Sequence, residues 1–175
     1  MILKTIVIIL ALIGAGIGLW LLGQMKRTRV LAQQAEEAVP PVGRFATIST
    51  GRLHYTDEGS GRPVVMIHGL GGQLRSLTMT LAGPLSGDFR VITIERPGMG
   101  YSDRPESAPA GIDAQAGYVE ELIDRLGLEK PIILGHSLGG AIACALALRA
   151  PEKVGGLALI APLLRPSAVK AQSFA

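Results

Sequence analysis

One hydroxyl in this chain sits where side-chain chemistry can be done. Ser137 stands in Gly135-His136-Ser137-Leu138-Gly139, after the apolar run 131–134 and before the Ala/Leu-rich stretch 138–149. Run, sharp turn and stretch read as strand, turn and helix, the context in which G-x-S-x-G forms a nucleophile elbow. A serine at this apex must hold a strained backbone so that its hydroxyl stands clear of the sheet. Gly135 and Gly139 leave it room on either side. The helix behind Ser137 aims backbone N–H groups and a positive dipole end at any oxyanion that develops. G-x-S-x-G also occurs in ordinary turns of a chain with 23 glycines, and the flanks separate the two readings.

An exposed hydroxyl becomes a strong nucleophile when a histidine takes its proton. The chain has three histidines. His68 opens His68-Gly69-Leu70-Gly71-Gly72 and reads as a brace for that loop rather than as the base. His136 adjoins Ser137, and its side chain is expected to point away from the site. His54, in an early strand, reads as a surface or core residue. After Ser137 there is no histidine and a single carboxylate side chain, Glu152, at the end of the elbow helix and the wrong end of the sheet for an orienting acid.

The scaffold for these residues is legible as alternating elements. Short strands are expected over 45–49 and 52–56 around a Thr50-Gly51 turn, then over 64–67, 90–94, 131–134 and 154–160. Helices are expected over 74–85, ending near Gly83-Pro84, over 113–126 and over 138–149. From Val64 onward strand and helix alternate, which predicts an α/β fold: a mainly parallel sheet with helices on both faces. Cys144, among small apolar residues, reads as core. The stretch 165–175 has little periodicity and reads as a frayed tail or a lead into a further segment.

The mean hydropathy of +0.38 is high for a globular chain. Most of the excess lies in residues 5–23, which carry no charge and as a helix would span roughly 28 Å, near the thickness of a bilayer core. Trp20 sits near the end of this run, and Lys26, Arg27 and Arg29 follow it. An uncleaved anchor over 1–25 is preferred to a cleaved signal peptide. The run is longer than a usual signal core of about 7–15 residues, and no A-x-A site follows closely. Residues 26–43 form a juxtamembrane linker, with a helix and then a stiff spacer ending in Pro40-Pro41, and 44–175 form the catalytic-type domain. Lys4 and the terminal amine against three cations leave the side of the membrane undecided. The net charge of +3 owes much to those three cations. No basic stripe with interleaved aromatics points to nucleic acid.

Three motifs carry a family resemblance: HGLGG at 68–72, ERPGMGYS at 95–102 and GHSLGG at 135–140. Over about Phe45 to Pro162 the chain resembles the alpha/beta-hydrolase superfamily of the serine-nucleophile type. The resemblance implies that Ser137 is the nucleophile, that the backbone amides of Leu70 and Leu138 form the oxyanion hole, and that His68 braces its loop. Glu95 stands where the family usually has Asp, which bears on bracing of its loop. Dehalogenases and epoxide hydrolases share a similar loop but use an Asp nucleophile, so Ser137 argues against both. In the family the acid and the histidine follow the serine along the chain. Neither has a counterpart here, so the sequence reads as an N-terminal half, stopping after about the sixth strand with that strand's edge uncovered. The expected function is a membrane-anchored serine hydrolase acting on a small-molecule ester or acyl substrate. A non-catalytic anchored pseudo-hydrolase or interaction domain is the alternative, and a complementing chain a third reading. Neither cofactor nor metal is implied, because no ligand cluster has metal spacing and the glycine-rich loops lack a Walker lysine.

Overall fold

The computed structural model describes residues 2–164, with side chains from Lys4 onward, so the expected tail at 165–175 lies outside the described residues. The chain forms two compact units, 1–41 and 42–175.

The first unit is one helix, Ile2–Ala38. Its N-terminal part is apolar on every side and exposed from Lys4 on. The helix continues through 26–38 because Gln, Glu, Ala, Lys and Arg are good helix formers, and Gln33 donates to Glu37 one turn later at 3.0 Å. It stops just before Pro40-Pro41, where a residue preceding proline is pushed out of helical geometry. It is long and apolar enough to cross a membrane, a test that a signal sequence in the same place also passes.

The second unit is built on a six-stranded sheet of order β1-β2-β4-β3-β5-β6. β1 (Arg44–Ile48) and β2 (Gly51–Glu58) form a hairpin, and β2 runs antiparallel to β4 (Phe89–Ile94). β3 (Arg62–Ile67), β4, β5 (Ile132–His136) and β6 (Gly156–Ile160) run parallel to one another. Strand periodicity sorts the core into two layers. Val65, Ile67, Ile92, Ile94 and Ile133 point to one face and pack with Val119, Leu122 and Ile123 of the Ile112–Arg125 helix and Ile142 and Leu146 of the Leu138–Arg149 helix. Val64, Met66, Val91 and Leu134 point to the other, against Leu77, Leu81, Ala82 and Leu85. Sheet and helices thus follow the α/β pattern expected, with helices on both faces.

The helix over 75–85 departs from expectation. It is α-helical over Arg75–Leu77, widens into a π turn over Thr78–Ala82, and closes as α over Gly83–Leu85. The Gly83-Pro84 pair therefore lies inside the helix instead of ending it. Pro84 has no N–H to give to a regular ladder, and the wide turn before it lets the helix pass. At the other side of the sheet, β6 pairs only with β5 among the described strands. Leu157, Leu159 and Ile160 on it are exposed.

Candidate active site

The elbow is a feature of backbone crowding. β5 ends at His136, Ser137 turns the chain with φ 51° and ψ −116°, and the elbow helix starts at Leu138. A non-glycine residue at positive φ is strained, and here the neighbours enforce it. The Ser137 N–H donates to the Ile160 carbonyl at 3.0 Å, and its own carbonyl accepts from Leu163 N–H at 2.8 Å. A Cβ placed on Gly135 would stand 2.4 Å from the Gly139 carbonyl oxygen, and one on Gly139 only 2.2 Å from that of Ile67. No larger residue fits either position. The Leu138 amide is the first of the elbow helix and has no partner within it.

Facing the elbow is the 68–72 loop, which leaves β3. Gly69 lies so close that a Cβ on it would be 3.1 Å from the Ser137 Cβ and 3.2 Å from His136 Nδ1. The loop is held by side chains. His68, 1% exposed, donates from Nδ1 to the Gly69 carbonyl at 2.9 Å and accepts the Arg96 backbone N–H at Nε2, 3.1 Å away. A carbonyl can only accept and an amide N–H only donate, so the ring is the neutral Nδ1–H tautomer. Burial, first, and the Arg96 charge hold its pKa below the ordinary 6.5, against the Gly69 hydrogen bond, which raises it. With both ring nitrogens committed, His68 is a brace and not a base.

Behind His68 is a second buried group. Glu95, 2% exposed, directly follows β4. Its carboxylate faces His54 Nδ1 at 2.8 Å and accepts the N–H groups of Tyr101 at 3.0 Å and Leu74 at 3.4 Å. The other ring nitrogen of His54 meets the Val42 carbonyl. Ser102 Oγ donates to the Glu95 carbonyl at 2.6 Å and accepts the His54 N–H at 2.9 Å. Gly100, at φ +49°, passes over the carboxylate where a Cβ would stand 2.2 Å from Oε1. Glu95 thus ties β2, the 95–102 loop and the start of the 75–85 helix together. His54 is a core residue.

Between elbow and loop is a cleft of about 360 Å³ lined by His68, Leu70, Leu77, Leu81, His136 and Ser137, among others. The expectation for His136 is corrected: it is exposed and lines this cleft. It is the last residue of β5, beyond the part of the sheet that the helices cover, so both it and Ser137 emerge at the same end. Leu70, 79% exposed, borders the cleft too. Its amide takes no backbone partner among the described residues. Glu152 lies in the short 3-10 turn Pro151–Lys153 and does not line the cleft. Arg96 went unremarked in the sequence, although it directly follows Glu95. It is 4% exposed and donates from Nη2 to the Gly69 carbonyl at 3.1 Å.

The alpha/beta hydrolase fold family model matches residues 62–172. The chain belongs to the alpha/beta hydrolase fold family. Within it, the chain is 35% identical over 129 residues to the dihydrolipoyllysine-residue acetyltransferase component of an acetoin cleaving system from Cupriavidus necator, covering 73% of this chain and 34% of that one. It is 37% identical over 128 residues to a 2-hydroxymuconate semialdehyde hydrolase from Pseudomonas sp. strain CF600, covering 72% of this chain and 45% of the relative. Among solved structures, an esterase from Exiguobacterium antarcticum superposes with a TM-score of 0.63 at 30% identity, covering 69% of this chain and 46% of the esterase. The chain therefore spans less than half the length of these relatives. Their activities differ, so the alpha/beta hydrolase fold by itself leaves the substrate open.

Proposed function

We propose that this alpha/beta hydrolase is a membrane-anchored serine hydrolase of the carboxylic-ester type. The observation that carries the proposal is Ser137 at φ 51° beside the first amide of the elbow helix, with the Gly69–Leu70 peptide packed against it. Ser137 Oγ attacks the ester carbonyl and gives its proton to a base. The carbonyl oxygen becomes an oxyanion that the Leu70 and Leu138 N–H groups stabilise, the alcohol leaves, and water hydrolyses the acyl-enzyme. The cleft, with leucines on its wall, suits a small apolar acyl group. The esterase neighbour supports the ester reading. The base and its orienting acid have no candidates in this cleft beyond His136, because His54 and His68 are committed to other partners. We place both groups on polypeptide outside residues 1–175. Residues 1–25, in the N-terminal part of the Ile2–Ala38 helix, are the anchor, and the rest of the helix belongs to the linker.

That commitment of two of three histidines also favours a second reading, an anchored domain that binds without turnover. A fluorophosphonate probe on the full chain in detergent micelles, with the polypeptide that supplies the base and acid present, separates the two. Labelling that disappears in Ser137→Ala supports the hydrolase, and folded chain that takes no label supports the inert domain. Intact mass from the membrane fraction tests the anchor: retention of residues 1–25 is expected, and their loss identifies a signal sequence.

A further inference from the structure

The Gly69 carbonyl is more heavily hydrogen-bonded than a loop carbonyl needs to be. It accepts His68 Nδ1–H at 2.9 Å, Arg96 Nη2–H at 3.1 Å and Gly72 N–H at 3.3 Å. One neutral bond would fix a glycine-rich turn. One of the three donors, Arg96, is charged, and it comes at a cost. Arg96 is 4% exposed, its Nε has no partner, and no carboxylate pairs with it among the described residues. The neighbouring Glu95 carboxylate is occupied with His54 and two backbone amides. Burying a guanidinium without an ion-pair partner is unfavourable, and an apolar side chain of similar length would fill the same space at less cost.

The geometry points to a use for that charge. The Gly69 carbonyl and the Leu70 N–H are the two ends of one planar, resonance-coupled peptide group. Donors on the oxygen draw electron density toward it, which leaves the N–H more positive; hydrogen bonds in such chains strengthen one another by perhaps 10–30%. The guanidinium keeps its charge in proteins, and in a low-dielectric interior its field is weakly screened. We propose that Arg96 is a positioning residue that, with His68, fixes and polarises the Gly69–Leu70 peptide and so makes Leu70 N–H a stronger oxyanion donor than it would be without the guanidinium. Its catalytic consequence rests on the hydrolase reading above; the polarised peptide itself does not.

The experiment uses the full chain in micelles, labelled with carbonyl-¹³C glycine and ¹⁵N leucine. Only Gly–Leu peptides then give a carbon–nitrogen correlation, and the chain has four, at 18–19, 69–70, 127–128 and 156–157. In Arg96→Met, the Gly69 carbonyl and Leu70 amide signals should both move upfield while the 127–128 and 156–157 signals, which report the fold, stay in place. Arg96→Lys, which keeps the charge, should recover part of the shift. A 69–70 signal that does not move in a folded Arg96→Met chain overturns the proposal, as does a Lys variant indistinguishable from Met. Where Arg96→Met does not fold, the Lys variant and the unmodified chain are read: a Gly69 carbonyl upfield of Gly127 and Gly156 overturns it. Fluorophosphonate labelling of Ser137 should slow about tenfold in Arg96→Met, less than the roughly 10²–10³ lost with a whole oxyanion donor. Shifts that move as expected in a chain that takes no label even with the base-supplying polypeptide present leave the polarised peptide standing and remove the hydrolase reading.

Discussion

The elbow and the 68–72 loop face one another across the cleft and are held by different forces. At the elbow no side chain caps or braces Ser137; the backbone is trapped between atoms that glycines allow to approach within van der Waals distance. Across the cleft, the loop is held by the buried side chains of His68 and Arg96, backed by a network of His54, Glu95 and Ser102, in which specific partners satisfy the polar groups except Arg96 Nε. Crowding is short-ranged and insensitive to pH or salt. A polar network is directional, responds to protonation, and fails when one member is left unpaired. The Leu70 and Leu138 amides that we propose for the oxyanion hole are therefore positioned by means that respond differently to mutation and to pH.

Substitutions can break this contrast. The largest effect is expected from Glu95→Ala, which strands His54 and the Tyr101 and Leu74 amides inside the fold. Loss of about 3–5 kcal/mol is expected from urea unfolding, as for a buried pair missing one partner; a loss below 1 kcal/mol would show that the network is decorative. Gly139→Ala should cost about 1–3 kcal/mol or more by overpacking against the Ile67 carbonyl. That cost should be the same at pH 5 and pH 7.5, whereas the stability conferred by the loop should not be.

The pH arm sharpens the contrast. His68 has its pKa lowered by burial from the ordinary 6.5, so the folded chain keeps it neutral where the unfolded chain protonates it. Its contribution is complete above about pH 6.5 and is lost as pH falls from there toward the folded pKa, by at most about 1.4 kcal/mol per pH unit. Urea midpoints against pH should show that slope in the unmodified chain and a flatter one in His68→Gln; parallel curves would refute the neutral brace. Ser137→Gly should stabilise the chain by about 1 kcal/mol by removing the strain of a serine at positive φ, while abolishing labelling. The smallest effect belongs to neither wall. Arg149→Ala loses an ion pair with Glu120 on the outer surface, and a change under about 0.5 kcal/mol is expected.

Much of the elbow could be read from the sequence because its determinants are neighbours in the chain. Gly135, Ser137 and Gly139 lie within five residues, and the apolar runs beside them carry their own periodicity. The polar wall had no comparable signature. His54 and Glu95 are 41 residues apart and His68 and Arg96 are 28 apart, and each pair meets only because β2, β3 and β4 are neighbours in the sheet. Glu95 was legible as a loop brace by resemblance; its partner was not. The π turn at Thr78–Ala82 was hidden too, since Gly83-Pro84 reads locally as a stop.

By itself the sequence determined where the sharp turn at Ser137 stands, the order of strands and helices, and a first helix apolar enough for a bilayer. Those properties depend on spacing along the chain, where backbone geometry repeats every two or 3.6 residues. Only the tertiary structure decided which histidines are bound, that His136 is exposed at the cleft, and that an arginine with no carboxylate partner among the described residues backs the Gly69–Leu70 peptide. A buried polar group takes its partner from whatever strand the fold lays beside it, and strand order is a property of the assembled sheet.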